Sequence, residues 1–173
     1  MLDQQLVVRA IRAATEEVFA TMLGASIDLD ETGKGIDGGL MAVVGLTGNW
    51  SGAGTLSCSP TLGNQAASAM FMSEGSGGQN AINDEVLDAV AELTNMVVGN
   101  IKNNLEHHLG PIAISIPSVI YGRNFHFKSL TGKMVASAAF RWNCEPMEVK
   151  VVLAPSSEEG AMRLRSAVMA LNH

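Results

Sequence analysis

Few residues of this chain are charged, 16% in all, and its eleven lysines and arginines are scattered from Arg9 to Arg165. Without a basic cluster, and with a formal net charge of −6, the sequence offers no electrostatic hold on nucleic acid or an anionic membrane. No apolar run approaches the ~20 residues that a bilayer span requires. The opening residues, Met1 to Gln5, lack the basic start and small-residue cleavage site of a secretory leader, so a cytoplasmic location is expected. Cysteine is scarce as well. Cys58 and Cys144 have no CxxC spacing and each lies in an apolar, strand-like run, so both are expected to be reduced and in the core. The Asn49-Trp50-Ser51 sequon is silent in that setting.

Apolar residues make up 47% of the 173 positions, and no low-complexity tract interrupts them. That is enough for one good core and too little for two ordinary domains, so residues 1–173 are read as a single domain. Residues 3–23 repeat apolar side chains at helical spacing up to Gly24. A short strand over Ser26–Leu29, a glycine-rich loop and a strand pair at Leu40–Leu46 and Gly52–Cys58 follow. Ser59-Pro60-Thr61 opens a short helix that continues over Leu62–Met72. After a connector at 73–79, a long helix spans Asn83–Leu109, roughly 40 Å at the rise of an α-helix. Asn83 suits its cap, Asp84 and Glu85 its positive end, and His107 and His108 its negative end. Strands are predicted at 112–121, 133–142 and 147–153, and a last helix at 157–171.

The order helix, strand, hairpin, helix thus occurs twice. Gly24-Ala25-Ser26-Ile27 matches Gly110-Pro111-Ile112-Ala113, and Ser59-Pro60-Thr61 matches Ala154-Pro155-Ser156. The difference in spacing falls in a longer loop near Arg123–Thr131. The expected fold is α+β, with a pseudo-symmetric, antiparallel-rich sheet packed against long helices.

The long helix carries the chemistry. Val86, Val90, Leu93, Val97, Ile101 and Leu105 form its core stripe. A second stripe collects Asp84, Asp88, Glu92, Asn95, Gly99 and Lys102 within about 40° of one line. Glu92 and Asn95 stand one turn apart and can act together. The plain alternative is the solvated face of an amphipathic helix. Against it, Asn and Gly are poor mid-helix residues, costing up to ~1 kcal/mol relative to Ala, and both share the stripe with a carboxylate.

The pattern Asp88-x3-Glu92-x2-Asn95, followed by Pro117, resembles the signature of the CheC/CheX/FliY family of chemotaxis phosphatases. The strand around Gly52-Ala53-Gly54-Thr55-Leu56, the Pro60 helix, the Pro117–Gly122 strand exit and the closing Val149–Leu153 strand are similar too, so the likeness spans residues 3–171. CheC-type members carry Glu-x-x-Asn on both pseudo-symmetric helices. Aligning Gly24 with Gly110 sets Leu6 and Arg9 against Glu92 and Asn95, and neither can serve. A single site, with no extra docking segment at the N-terminus, is most like the CheX branch. The resemblance implies a CheC-like domain that forms a homodimer and removes the aspartyl phosphate from a CheY-like receiver. It assigns Glu92 and Asn95 as catalytic, and Asp88 and Pro117 to the partner-binding surface; Gly99 joins that surface on its own evidence, a mid-helix glycine on the same stripe where a partner's backbone can come close. Asn95 would orient the attacking water, as the Gln of GTPases does, and Glu92 would meet the receiver's lysine. The chain itself is expected to bind no cofactor or metal, the receiver bringing its own Mg²⁺.

Other candidates fail on spacing. Gly33-Lys34-Gly35 is not a phosphate-binding loop, and Gly75-Ser76-Gly77-Gly78 is not a dinucleotide fingerprint. His107 and His108 point apart on a helix, and His126 and His173 have no ligand-spaced neighbours. The ten methionines are read mostly as core packing. The main rival function is a non-catalytic module of the same fold that binds a receiver or a flagellar-switch component.

Overall fold

The helix-stop glycine and the capping residues read from the sequence sit where the helices begin and end. In the computed structural model, which describes residues 3–32, 36, 38–71, 81–123 and 134–156, helix α1 covers Gln4–Leu23. Asp3 caps it by accepting from the Gln5 N–H, and Gly24 ends it at a left-handed φ of 59°. Helix α2 covers Pro60–Phe71, with the Ser59 hydroxyl accepting from the Leu62 N–H at 3.0 Å. Helix α3 covers Asp84–Leu109, and Asn83 caps it by accepting from the Val86 N–H at 3.0 Å. The helix expected at 157–171, the connector at 73–79 and the loop after Arg123 lie outside the described residues.

Among the described residues seven strands form one antiparallel sheet: β1 Asp28–Leu29, β2 Gly39–Gly48, β3 Trp50–Cys58, β4 Ile112–Ile114, β5 Ser118–Gly122, β6 Met134–Trp142 and β7 Glu145–Pro155. Their order is β1-β6-β7-β3-β2-β4, and β5 shares the outer edge of β2 with β4. This order is palindromic for the two halves. Exchanging them carries β3 onto β7, β2 onto β6 and β4 onto β1, so the duplication seen in the sequence is a twofold in space.

Alternate residues of the central strands, such as Leu40, Ala42, Val44 and Leu46 on β2 and Met147, Val149, Val151 and Leu153 on β7, are buried toward the helices. α1, α2 and α3 touch one another and the sheet, and so lie together on that face. The predicted stripe of α3 is buried in full, along with Ala89, Thr94, Val98 and Leu109. Helix and sheet come close because Gly54 of β3 has no side chain. A Cβ there would stand 2.6 Å from a methyl of Val98.

The structure departs from the sequence reading in three places. The strand expected at 112–121 is two strands. Leu46 pairs with Ile114 and Val43 with Ser118, so two residues of β2 face three across the ladder, a one-residue bulge at Ser115–Pro117. Pro117 has no N–H to give the ladder. Ser115 replaces part of it: its N–H donates to the Gly45 carbonyl at 2.9 Å, and its Oγ accepts from the Gly45 N–H at 2.8 Å. Second, the strand expected at 26–29 is only Asp28–Leu29; beyond it Asp30 accepts from the Thr32 hydroxyl and from Arg141 Nε, which hold its carboxyl below the usual range. The methionines follow the packing reading: Met147 is buried and Met70, Met96 and Met134 pack half-buried against the core, leaving Met41 half-buried and Met22 exposed among the described ones.

Cys144 is the third departure. It was expected in the core, but with Asn143 it makes the two-residue turn between β6 and β7, both at positive φ, and it is exposed. Cys58 is fully buried, and burial pushes its thiol up to about 12. Thiol titration of the native protein at pH 8 should therefore count one fast group, lost in Cys144→Ser, with the second appearing only in denaturant. Two fast groups in the native protein would contradict the packing of β3 under the helices.

Candidate functional site

Opposite its buried stripe, α3 presents Asp88, Glu92, Asn95 and Gly99 in a line. Asp88 and Glu92 are exposed, and Asn95 and Gly99 are half-buried where the helix turns toward the sheet edge. Glu92 and Asn95 are separated by about 4.5 Å along the axis, one turn, so both side chains can reach one docked group. Among the described residues, neither side chain has a hydrogen-bond or ion-pair partner, so the carboxylate and both ends of the carboxamide are free. Beneath them Thr94 is buried, its hydroxyl donating back to the Val90 carbonyl at 2.7 Å. The stripe is acidic from Asp84 to Glu92 and suits an approaching cationic side chain; Lys102 closes its far end.

Gly99 lies beside the sheet edge. A Cβ at this position would meet the Ile114 side chain at 3.8 Å, ordinary contact, so nothing internal forbids a small side chain there. The other end of α3 lies over the start of β2, since a Cβ on Gly63 would meet Leu40, Val86 and Val90 together. α3 therefore runs against the direction of β4 and β5. From Ile114 toward Ser118 the chain moves back along the helix from Gly99 toward Asn95 and Glu92. That places the Ser115–Pro117 bulge beside Asn95, with Pro117 half-buried. Residues far apart in sequence, Glu92 and Asn95 on one side and Pro117 on the other, thus border one surface.

Sequence reasoning passed over Ile116, which is 88% exposed at the tip of the bulge. The signal was present: a proline inside a strand-like run marks an interrupted edge, and the residue before it leaves the ladder. Among the described residues, no group of three or more His, Cys, Asp or Glu side chains is placed to hold a metal ion. No helix among them is long and apolar enough to cross a membrane.

Residues 40–141 match the family described as "Chemotaxis phosphatase CheX". The chain is 30% identical over 130 residues to the CheY-P phosphatase CheX of Thermotoga maritima, covering 71% of this chain and 80% of that protein. Its fold is similar to the chemotaxis protein CheX from Vibrio vulnificus, with a TM-score of 0.74 at 19% identity, over 89% of this chain and 100% of the other. A CheX from Borrelia burgdorferi, solved in complex with CheY, BeF3 and Mg²⁺, superposes with a TM-score of 0.70 at 21% identity, over 85% and 97% of the two chains. With the family match covering more than half of its length, and a relative at that level of identity across most of both proteins, the chain belongs to the CheX family of chemotaxis phosphatases.

Proposed function

We propose that this protein hydrolyses the aspartyl phosphate of a CheY-like receiver domain in the cytoplasm, with Asn95 and Glu92 as its catalytic residues. The observation that carries the reading is the free Glu92–Asn95 pair, one turn apart on the open face of α3, in a chain of the CheX family. An aspartyl phosphate is a reactive acyl phosphate, so the demand on the catalyst is chiefly to place a water in line with the scissile P–O bond. The Asn95 carbonyl accepts a hydrogen bond from that water while its NH₂ donates to a phosphoryl oxygen. The water oxygen bonds to phosphorus, the bond to the aspartyl oxygen breaks, and the water's proton leaves with the phosphate. Glu92 pairs with a lysine of the receiver and fixes the register of docking. Mg²⁺ belongs to the receiver in this scheme, and α3 contributes no ligand to it. Asp88, Gly99 and Pro117 border the docking surface.

A second copy is part of the proposal. The outer edge of β2 is paired by β4 and β5, whereas among the described residues β6 is paired at its outer edge only near Phe140 and Arg141, by β1. Among the described residues Met134–Ala138 thus have no strand partner on that edge, where Gln4 Nε2 donates to the carbonyl of the exposed Val135 at 2.8 Å, and a twofold copy can displace that side chain and pair there without covering α3. Light scattering should give twice the 18.2 kDa chain mass at micromolar concentration. A Val135→Pro change, which places a proline on that edge, should give the monomer mass. A monomer mass for the parent protein at every concentration removes the dimer.

The catalytic assignment separates by variant. In a Mg²⁺-containing assay on the phosphorylated CheY-like receiver of the source organism, Asn95→Ala should lower kcat by ~10²-fold or more and leave receiver binding in place. Glu92→Lys should weaken binding by setting like charges together. Normal turnover by Asn95→Ala would make the assignment wrong; decay unchanged by the parent protein across all receivers of the organism would leave a non-catalytic module that binds a receiver or a flagellar-switch component.

Gly99 gives a separate test. Gly99→Ala should raise stability by up to ~1 kcal/mol, because the helix gains a better former and Ile114 is met only at contact distance. Gly99→Leu should fold and bind the receiver poorly. Full receiver affinity in a well-folded Gly99→Leu protein would mean that docking takes place elsewhere.

A further inference from the structure

Ile116 is the most exposed large apolar side chain among the described residues, at 88%. Two features make it unlike an ordinary stray surface isoleucine. It sits on a bulge beside Asn95, and that bulge is held from both sides. The Ser115 N–H donates to the Gly45 carbonyl at 2.9 Å, the Ser115 Oγ accepts from the Gly45 N–H at 2.8 Å, and the same hydroxyl donates to the Ile116 carbonyl at 2.8 Å. Gly45 takes part because it has no side chain, since a Cβ there would stand 3.2 Å from the Ser115 Oγ. On the other side Pro117 fixes its own φ and restricts the backbone of Ile116 to extended conformations. The backbone at Ile116 is therefore fixed before any partner arrives, and little freedom is lost when the side chain is covered.

We propose that Ile116 is the apolar anchor of the receiver interface, seated in a nonpolar depression beside the receiver's phosphorylation site and setting which receivers this protein accepts. The inference rests on the phosphatase reading of Glu92 and Asn95 and adds a specificity residue to it. Those two polar side chains engage groups common to receivers, a lysine and a phosphoryl group. An exposed isoleucine recognises instead the shape of a surface that differs among them. Bulges commonly re-aim one side chain next to an active site, and here the strand register changes by one residue so that Ile116 leaves the ladder. A buried aliphatic anchor is also the kind of contact on which interface affinity concentrates.

The test compares steady-state kinetics on the CheY-like receiver of the source organism, phosphorylated with acetyl phosphate, for the parent protein, Ile116→Ala, Ile116→Val, Met22→Ala and Asn95→Ala. Loss of the covered side chain should raise KM about tenfold in Ile116→Ala. Its kcat should stay within about twofold, since no reacting group has changed. Ile116→Val should recover most of the loss, and Met22→Ala, an exposed apolar control at the end of α1, should behave as the parent. Asn95→Ala should show the opposite split, with kcat lowered and KM kept. Unchanged KM in Ile116→Ala alongside the expected Asn95→Ala loss overturns the anchor and leaves the phosphatase reading standing. A change of oligomeric state in Ile116→Ala with unchanged KM assigns the side chain to a contact between copies and also overturns it. No turnover by the parent protein on any receiver removes both.

Discussion

Val86, Val90, Leu93, Val97, Ile101 and Leu105 leave water together as α3 settles across β2 and β3, and the placement of the other elements follows from that contact. Each such side chain contributes roughly 1.5–3 kcal/mol on full burial, before the cost of ordering the chain. The helix needs that margin, because Asn95 and Gly99 weaken it by up to ~1 kcal/mol at a position. Packing therefore decides the conformation and local propensity does not. The face turned away from the core is left open to carry residues chosen for other reasons.

The features legible in the sequence were those written in local chemistry. Asp3 and Asn83 cap helices because their side chains accept from nearby N–H groups, and the period of α3 names its buried residues one by one. Glu92 and Asn95 were legible for the same reason, since a fixed spacing on one helix places them together. Pairing across the sheet was harder. Nothing near residue 115 says that its hydroxyl will answer the N–H of Gly45, seventy positions earlier. The bulge, and with it the exposure of Ile116, comes from that distant partner. Cys144 was misplaced because Asn143–Cys144 adopts a two-residue turn without glycine, and an apolar run conceals such a turn.

The spatial twofold makes the asymmetry of the surface more informative. α1 and α3 occupy equivalent places on one sheet, yet only α3 carries a Glu-x-x-Asn pair, and among the described residues only β2 has its outer edge completed by a second strand after a bulge. In the second half the helix face, the neighbouring edge and the fixed bulge between β4 and β5 lie together. The first half kept the packing role, with Val7, Ile11, Val18 and Phe19 buried, Phe19 meeting Trp142 edge to face at 5.5 Å between ring centres.

α3 touches α1, α2, β2, β3, β4 and β5, so no part of it can open without parting most of the core. Amide protons in its middle turns can then exchange with solvent only when the whole domain opens, and their protection reports the global unfolding free energy. For Asn95 this means that backbone excursions are tied to cooperative melting, and only rotation of the side chain remains on faster timescales. A surface that looks as accessible as any loop thus rests on backbone that opens only with the core.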